Sequence, residues 1–113
     1  MSNKNDNIQS QMRKGILELC ILSILEKDDA YPTEIINELK EAKLIVVEGT
    51  LYPLLNRLKD EGYLNYQWKE SNQGPPRKYY RITPEGKKFL KELIENWEDI
   101  VKSVHKIINK NKK

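Results

Sequence analysis

From Leu90 to Ile108 the apolar residues Leu90, Ile94, Trp97, Val101, Val104 and Ile108 fall at intervals of 4, 3, 4, 3 and 4. That spacing keeps them on one side of an α-helix, and Leu93, Ile100 and Ile107 widen the stripe. Thr83-Pro84-Glu85 supplies the start signal: a hydroxyl cap, a proline at the first helical position and an acid in the first turn. If helical from Pro84 to Asn109, the segment is about 39 Å long at roughly 1.5 Å per residue. A chain of 113 residues makes one domain, too small to cover such a stripe alone. The stripe therefore asks for a second copy of the chain along a short coiled-coil seam through Leu90, Ile94, Trp97, Val101, Val104 and Ile108. Folding back onto its own core is the alternative.

Upstream, Met12, Ile16, Leu19, Cys20, Leu22 and Ile24-Leu25 predict a core helix from Gln9 to Glu26, stopped by Lys27-Asp28-Asp29. Pro32 and Glu34 open a second helix, whose apolar face is Ile35, Ile36 and Leu39. A third carries Leu51, Leu54, Leu55 and Leu58 and stops at Gly62. Because Pro53 removes a backbone donor, that helix must begin between Val47 and Thr50. Tyr63 to Lys69 alternates, with Leu64, Tyr66 and Trp68 on the inward face, and Lys78 to Ile82 supplies a partner strand with Tyr80 and Ile82 inward. Glu70-Ser-Asn-Gln-Gly-Pro-Pro76 reads as a long hairpin tip.

Twenty Lys and Arg against 17 acidic residues give a net charge of +3, too small to name a polyanionic partner. The average hides a split: residues 1–62 hold 8 basic and 11 acidic side chains, residues 63–113 hold 12 and 6. No apolar run approaches the roughly 20 residues of a membrane span, so no membrane partner is expected. The polar N-terminus lacks the apolar core of a secretion signal, and one cysteine, Cys20, excludes an intrachain disulfide and a multi-cysteine zinc site. These features favour the cytoplasm. His105, the only histidine, has no partner for a triad or metal cluster, and no glycine loop could cradle phosphate. Neither enzyme activity, metal nor cofactor is expected.

Three helices, a two-stranded hairpin and a long helix give a mainly α fold with a small β-hairpin (α+β). This is the order of a winged helix-turn-helix plus a C-terminal dimerisation helix. Residues 1–8 and 110–113 read as disordered tails, 9–83 as the winged domain and 84–109 as the dimerisation helix. Lys69, Arg77, Lys78 and Arg81 against Glu70 make the hairpin basic, which suits double-stranded DNA but equally suits a solvated strand. A second reading keeps the winged fold as a dimeric scaffold for small molecules or protein partners.

Three blocks carry a family resemblance: Arg13-Lys-Gly-Ile-Leu-Glu-Leu-Cys-Ile-Leu22, Glu48-Gly-Thr-Leu-Tyr-Pro-Leu-Leu-Asn-Arg-Leu58 and Gly74-Pro-Pro-Arg-Lys-Tyr-Tyr-Arg-Ile-Thr-Pro-Glu-Gly86. Together they resemble the PadR family of bacterial transcriptional regulators over roughly residues 12–100. Ala30-Tyr-Pro-Thr-Glu34 departs from the Gly-Tyr-Glu that often opens the family's second helix. The resemblance implies a homodimeric repressor that reads an inverted repeat with its third helix and wing and dimerises through its N- and C-terminal helices. Room for one helix after Gly86 is similar to the small subfamily, some of whose members bind planar aromatic molecules between subunits while others control phenolic-acid detoxification or transporter genes.

Thr50, Tyr52, Asn56 and Arg57 on the third helix are the expected primary DNA contacts, being types that hydrogen-bond to base edges or phosphates. Packing under the wing is the alternative for Tyr52, and an i,i+4 pair with Glu61 for Arg57. Lys14 could neutralise a phosphate or stay solvated. At the wing, Gly74, Arg77 and Lys78 resemble the family's backbone-contacting tip. Trp97 is an effector candidate, with Met12, Ile16 and Val101 as neighbouring walls, or else a core residue of the seam.

Overall fold

Helix α1 (Leu17–Lys27) turns Leu17, Ile21, Leu22 and Leu25 inward and is shorter than the run of apolar residues predicts. Gly15 is the reason. Its φ of +87° is left-handed, so the helical geometry at Gln11 and Met12 cannot continue through it. A turn follows, in which Ile16 N–H donates to Arg13 O at 3.0 Å, and the chain re-enters helix only at Leu17. The computed structural model describes residues 8, 11–13 and 15–110; of the expected disordered tails at 1–8 and 110–113, residues 1–7 and 111–113 lie outside them, as does Lys14, whereas Ile8 and Lys110 are helical.

Helix α2 (Pro32–Glu41) starts at its proline, and the Glu34 carboxylate accepts the Tyr31 backbone N–H at 3.2 Å. It closes with two reversed bonds, Leu44 N–H to Leu39 O at 2.8 Å and Lys43 N–H to Lys40 O at 2.9 Å. This C-terminal motif places a left-handed residue after the cap, usually glycine; here Lys43 takes φ 69°. Helix α3 (Glu48–Asp60) begins within the expected window and buries Leu51, Leu55 and Leu58. Pro53 stands in its second turn, on the exposed face above Gly49, so the carbonyl it leaves without a helical partner faces water rather than core.

Strands β1 (Leu64–Ser71) and β2 (Gly74–Ile82) form an antiparallel pair. The expected long tip is instead mostly strand: Ser71 pairs with Gly74, leaving Asn72 and Gln73 as the turn. The register slips between Lys69 and Ser71, with Lys69 opposite Arg77, so Glu70 faces both Pro75 and Pro76. A bulge is where prolines fit a strand, since they have no ladder donor to lose. Ala30, between α1 and α2, adds a bridge to the free edge of β2: Tyr80 N–H donates to Ala30 O at 2.8 Å, and Ala30 N–H to Tyr80 O at 3.2 Å.

Helix α4 (Pro84–Lys110) is welded to the end of α3. The Thr83 hydroxyl accepts the Gly86 N–H at 2.9 Å and donates to Gly62 O at 2.7 Å, and the Tyr63 ring stacks on Phe89 with centroids 4.2 Å apart. One core gathers the inner faces of α1, α2 and α3 with Leu64, Tyr80, Ile82 and Leu90. Leu90, expected in the dimer seam, is 1% exposed and belongs to this core. Leu93 and Ile94 pack against it, whereas Trp97, Ile100, Val104, Ile107 and Ile108 are exposed. The stripe is therefore divided: its first turns close the protomer, and the rest is uncovered.

Candidate nucleic-acid interface

With Leu51, Leu55 and Leu58 inward, about 100° of rotation per residue puts Gly49, Pro53, Asn56 and, at the C-terminal end, Asp60 outermost on α3. Thr50 and Arg57 lie on the flank toward α1, and Tyr52 on the flank toward the wing. Thr50, Tyr52, Asn56 and Arg57 are all exposed, but they do not form one row. Gly49 and Pro53, which sequence reasoning passed over, share the outermost surface with Asn56 and Asp60 and carry no long side chain to hold a partner away.

Arg57 is engaged within the protein. Its Nε donates to Glu18 Oε2 at 2.9 Å, its Nη2 donates to the same oxygen, and Glu61 lies at 3.8 Å. The hydrogen bond to Glu18 and its charge, with Glu61 adding less, hold the guanidinium above its already high ordinary pKa. The i,i+4 partner is thus the lesser one; the principal bond ties α3 to α1.

Between the start of α2, α3 and the wing lies a cleft of about 510 Å³. Tyr31, Pro32 and Thr33 form one end, Tyr52 comes from α3, and the hairpin contributes Trp68 and residues 76–78. Two cations, Arg77 and Lys78, line it together with three aromatic rings and no carboxylate. Gly74 sits beyond them, opening β2 at the tip. Arg81 is not part of this field: its Nε and Nη2 donate to Asp29 Oδ2 at 3.1 and 3.0 Å, so the hairpin's positive charge concentrates at Lys69, Arg77 and Lys78.

Tyr66 and Trp68, expected on a buried strand face, are 38% and 61% exposed. The alternation is right, but the buried core ends with Leu64 and Tyr80 and does not extend over Tyr66 and Trp68. Tyr79 packs edge-on against Tyr31 with centroids 5.2 Å apart, and Tyr80 is buried. Sequence reasoning missed Tyr31, Thr33 and Trp68 as cleft residues. The available signal was the interleaving of Tyr66, Trp68 and Tyr79 with Lys69, Arg77 and Lys78.

A second concavity, of about 350 Å³, is lined by Trp97, Glu98, Val101 and Lys102, all from α4. Met12, which is exposed, and Ile16, which is half-buried, are not among its walls. Burial pushes the Cys20 thiol pKa up, away from nucleophile chemistry. Among the described residues no cluster of His, Cys, Asp and Glu could hold a metal ion, and no helix is long and apolar enough to cross a membrane.

Residues 21–92 match the transcriptional regulator PadR-like family. A transcriptional regulator of Mycobacterium tuberculosis is 29% identical over 94 residues, which are 83% of this chain and 87% of that one. Among solved structures, a PadR-like transcription factor from Bacteroides fragilis is 58% identical with a TM-score of 0.74, covering 90% of this chain and 99% of that one. A PadR family regulator from Eggerthella lenta is 34% identical with a TM-score of 0.82, covering 95% and 97%. The fold is shared along nearly the whole chain, and the family consists of DNA-binding regulators rather than enzymes. This chain belongs to the PadR-like family of transcriptional regulators.

Proposed function

We propose that the chain is a homodimeric, sequence-specific repressor that sets the α3 helices of two protomers in successive major grooves of an inverted repeat. Half-site centres then lie roughly 34 Å apart or a multiple of it. The observation that carries this reading is the outward surface of α3 beside a cleft that holds two cations and no carboxylate. Asn56 is the base reader, because its amide can donate to and accept from an adenine edge at once. Thr50 and Tyr52 make flanking contacts, Arg57 braces α3 through Glu18, and Gly74, Arg77 and Lys78 meet the backbone. Lys14 adds a phosphate contact on the sequence argument alone.

Dimerisation through Ile94, Trp97, Val101, Val104 and Ile108 supports the two-fold geometry, since it covers the open part of the α4 stripe. A planar aromatic effector, such as a phenolic acid, fits a gap between paired Trp97 residues beside Val101, with Met12 and Ile16 of either protomer as further walls. Nuclease footprinting on the promoters of the protein's own gene and its neighbours tests the reading, with protection of two symmetric half-sites expected. No footprint on any of them would favour the scaffold alternative. Asn56→Ala should change sequence preference by about 1–3 kcal/mol at one base pair of each half-site, measured by competition among single-base operator variants.

A further inference from the structure

Trp68 has no part in the contacts above, yet its position is unusual. It is 61% exposed, directly across the hairpin from Lys78, and shares the cleft with Tyr52 and Tyr31. Aromatic rings at such a site forgo burial that stabilises other large side chains. The cations beside it are already in place. Arg77's guanidinium carbon lies 4.4 Å from the centre of the Tyr31 ring, and Lys78 Nζ lies 4.0 Å from that of Tyr66. A cation held on a ring loses less side-chain freedom when it meets a phosphate. On another face of α2, Asp28, Asp29, Glu34, Glu38 and Glu41 surround an acidic concavity that repels a polyanion. Charge therefore favours the cleft face over that one.

Resting on the DNA-binding reading, we infer that Trp68 is a DNA-contacting residue. Its indole packs on the deoxyribose of the strand seated in the cleft, between phosphates held by Arg77 and Lys78, and Tyr31 and Tyr66 position those two cations. A strand of alternating apolar sugars and anionic phosphates is matched by alternating rings and cations. The contact of Trp68 is non-ionic and releases no counterion, which separates it from its cationic neighbours.

The test uses the full chain and a duplex carrying the promoter of the protein's own gene, with affinity read by anisotropy across a salt series. Trp68→Ala should weaken binding about tenfold, leave the salt slope and the melting temperature unchanged, and be partly rescued by Trp68→Phe. Saturating duplex should change tryptophan emission in the unmodified chain and in Trp97→Phe, but not in Trp68→Phe. Duplex binding with unchanged affinity in Trp68→Ala overturns this inference alone, as does a flattened slope, which would mean a disordered wing. Quenching of Trp68 by 4-hydroxybenzoate with no response to bound duplex would assign the cleft to a small aromatic anion instead. If the unmodified chain binds no duplex, the DNA reading and this inference fall together.

Discussion

Gly86 is buried in the first turn of α4, close against the backbone of Tyr63. A Cβ there would overlap the Tyr63 carbonyl oxygen and lie 2.7 Å from Ile82 Cγ1, neither of which is the free end of a flexible side chain. The same spot holds the Thr83 cap and the Tyr63–Phe89 stack, so the strain cannot be relieved locally. Gly86→Ala should cost about 2–3 kcal/mol and lower the melting temperature by about 10 °C, measured by thermal unfolding. Lys43 presents the reverse case. It occupies a left-handed position with φ 69° at a cost of roughly 1 kcal/mol, so Lys43→Gly should raise stability by a fraction of that in the same measurement, the gain being offset by the freer unfolded chain.

The hairpin shows how one element serves two purposes along its length. At its base Leu64, Tyr80 and Ile82 are buried, and the bridge through Ala30 anchors it to the link between α1 and α2. Toward the tip the same face carries Tyr66 and Trp68 into solvent, with Lys78 half-buried over the Tyr66 ring. Only the outer half is free to meet a partner, and its cations are Lys69, Arg77 and Lys78 because Arg81 is spent on Asp29. Replacing Arg77 and Lys78 together by Ala should weaken binding to all duplex sequences alike and flatten the dependence of log K on log salt by about two units per half-site, about four for the proposed dimer. An unchanged slope would remove the wing from the DNA surface. Arg57 makes a different contribution, joining α3 to α1 through Glu18.

For the molecule as a whole, the α4 stripe is the open account. The helix runs to Lys110, beyond the reach of a domain whose core ends near Ile94, in a protomer 59 Å along its longest axis. Val104 and Ile108 remain 47% and 46% exposed, in register with Trp97 and Val101. In the proposed dimer Val104→Glu places a charge in the apolar seam, where burying it is costly. It should shift the sedimenting species to monomer at micromolar concentration while leaving the far-ultraviolet circular dichroism intact. Binding to an inverted repeat should then fall toward that of a single half-site, because the second wing no longer arrives tethered.

Local signals in the chain were enough for the element order, the capped start of α4, the helix start forced near Val47 by Pro53 and the inward leucines of α3. Each depends on periodicity, a cap or a proline, which are properties of neighbours in sequence. Contacts between distant residues were not legible in this way. Nothing near Arg57 announces Glu18, and nothing near Arg81 announces Asp29, since those pairs exist only once α1, α3 and the hairpin have packed. Alternation likewise assigned Trp68 to the correct face of β1 without revealing that the core stops short of it, and the stripe on α4 gave no sign that Leu90 would turn inward while Val104 stayed open. Periodicity says which side a residue faces. How far the rest of the chain extends over that side is set by packing, and here that extent separates the residues that hold the fold together from those left free to bind.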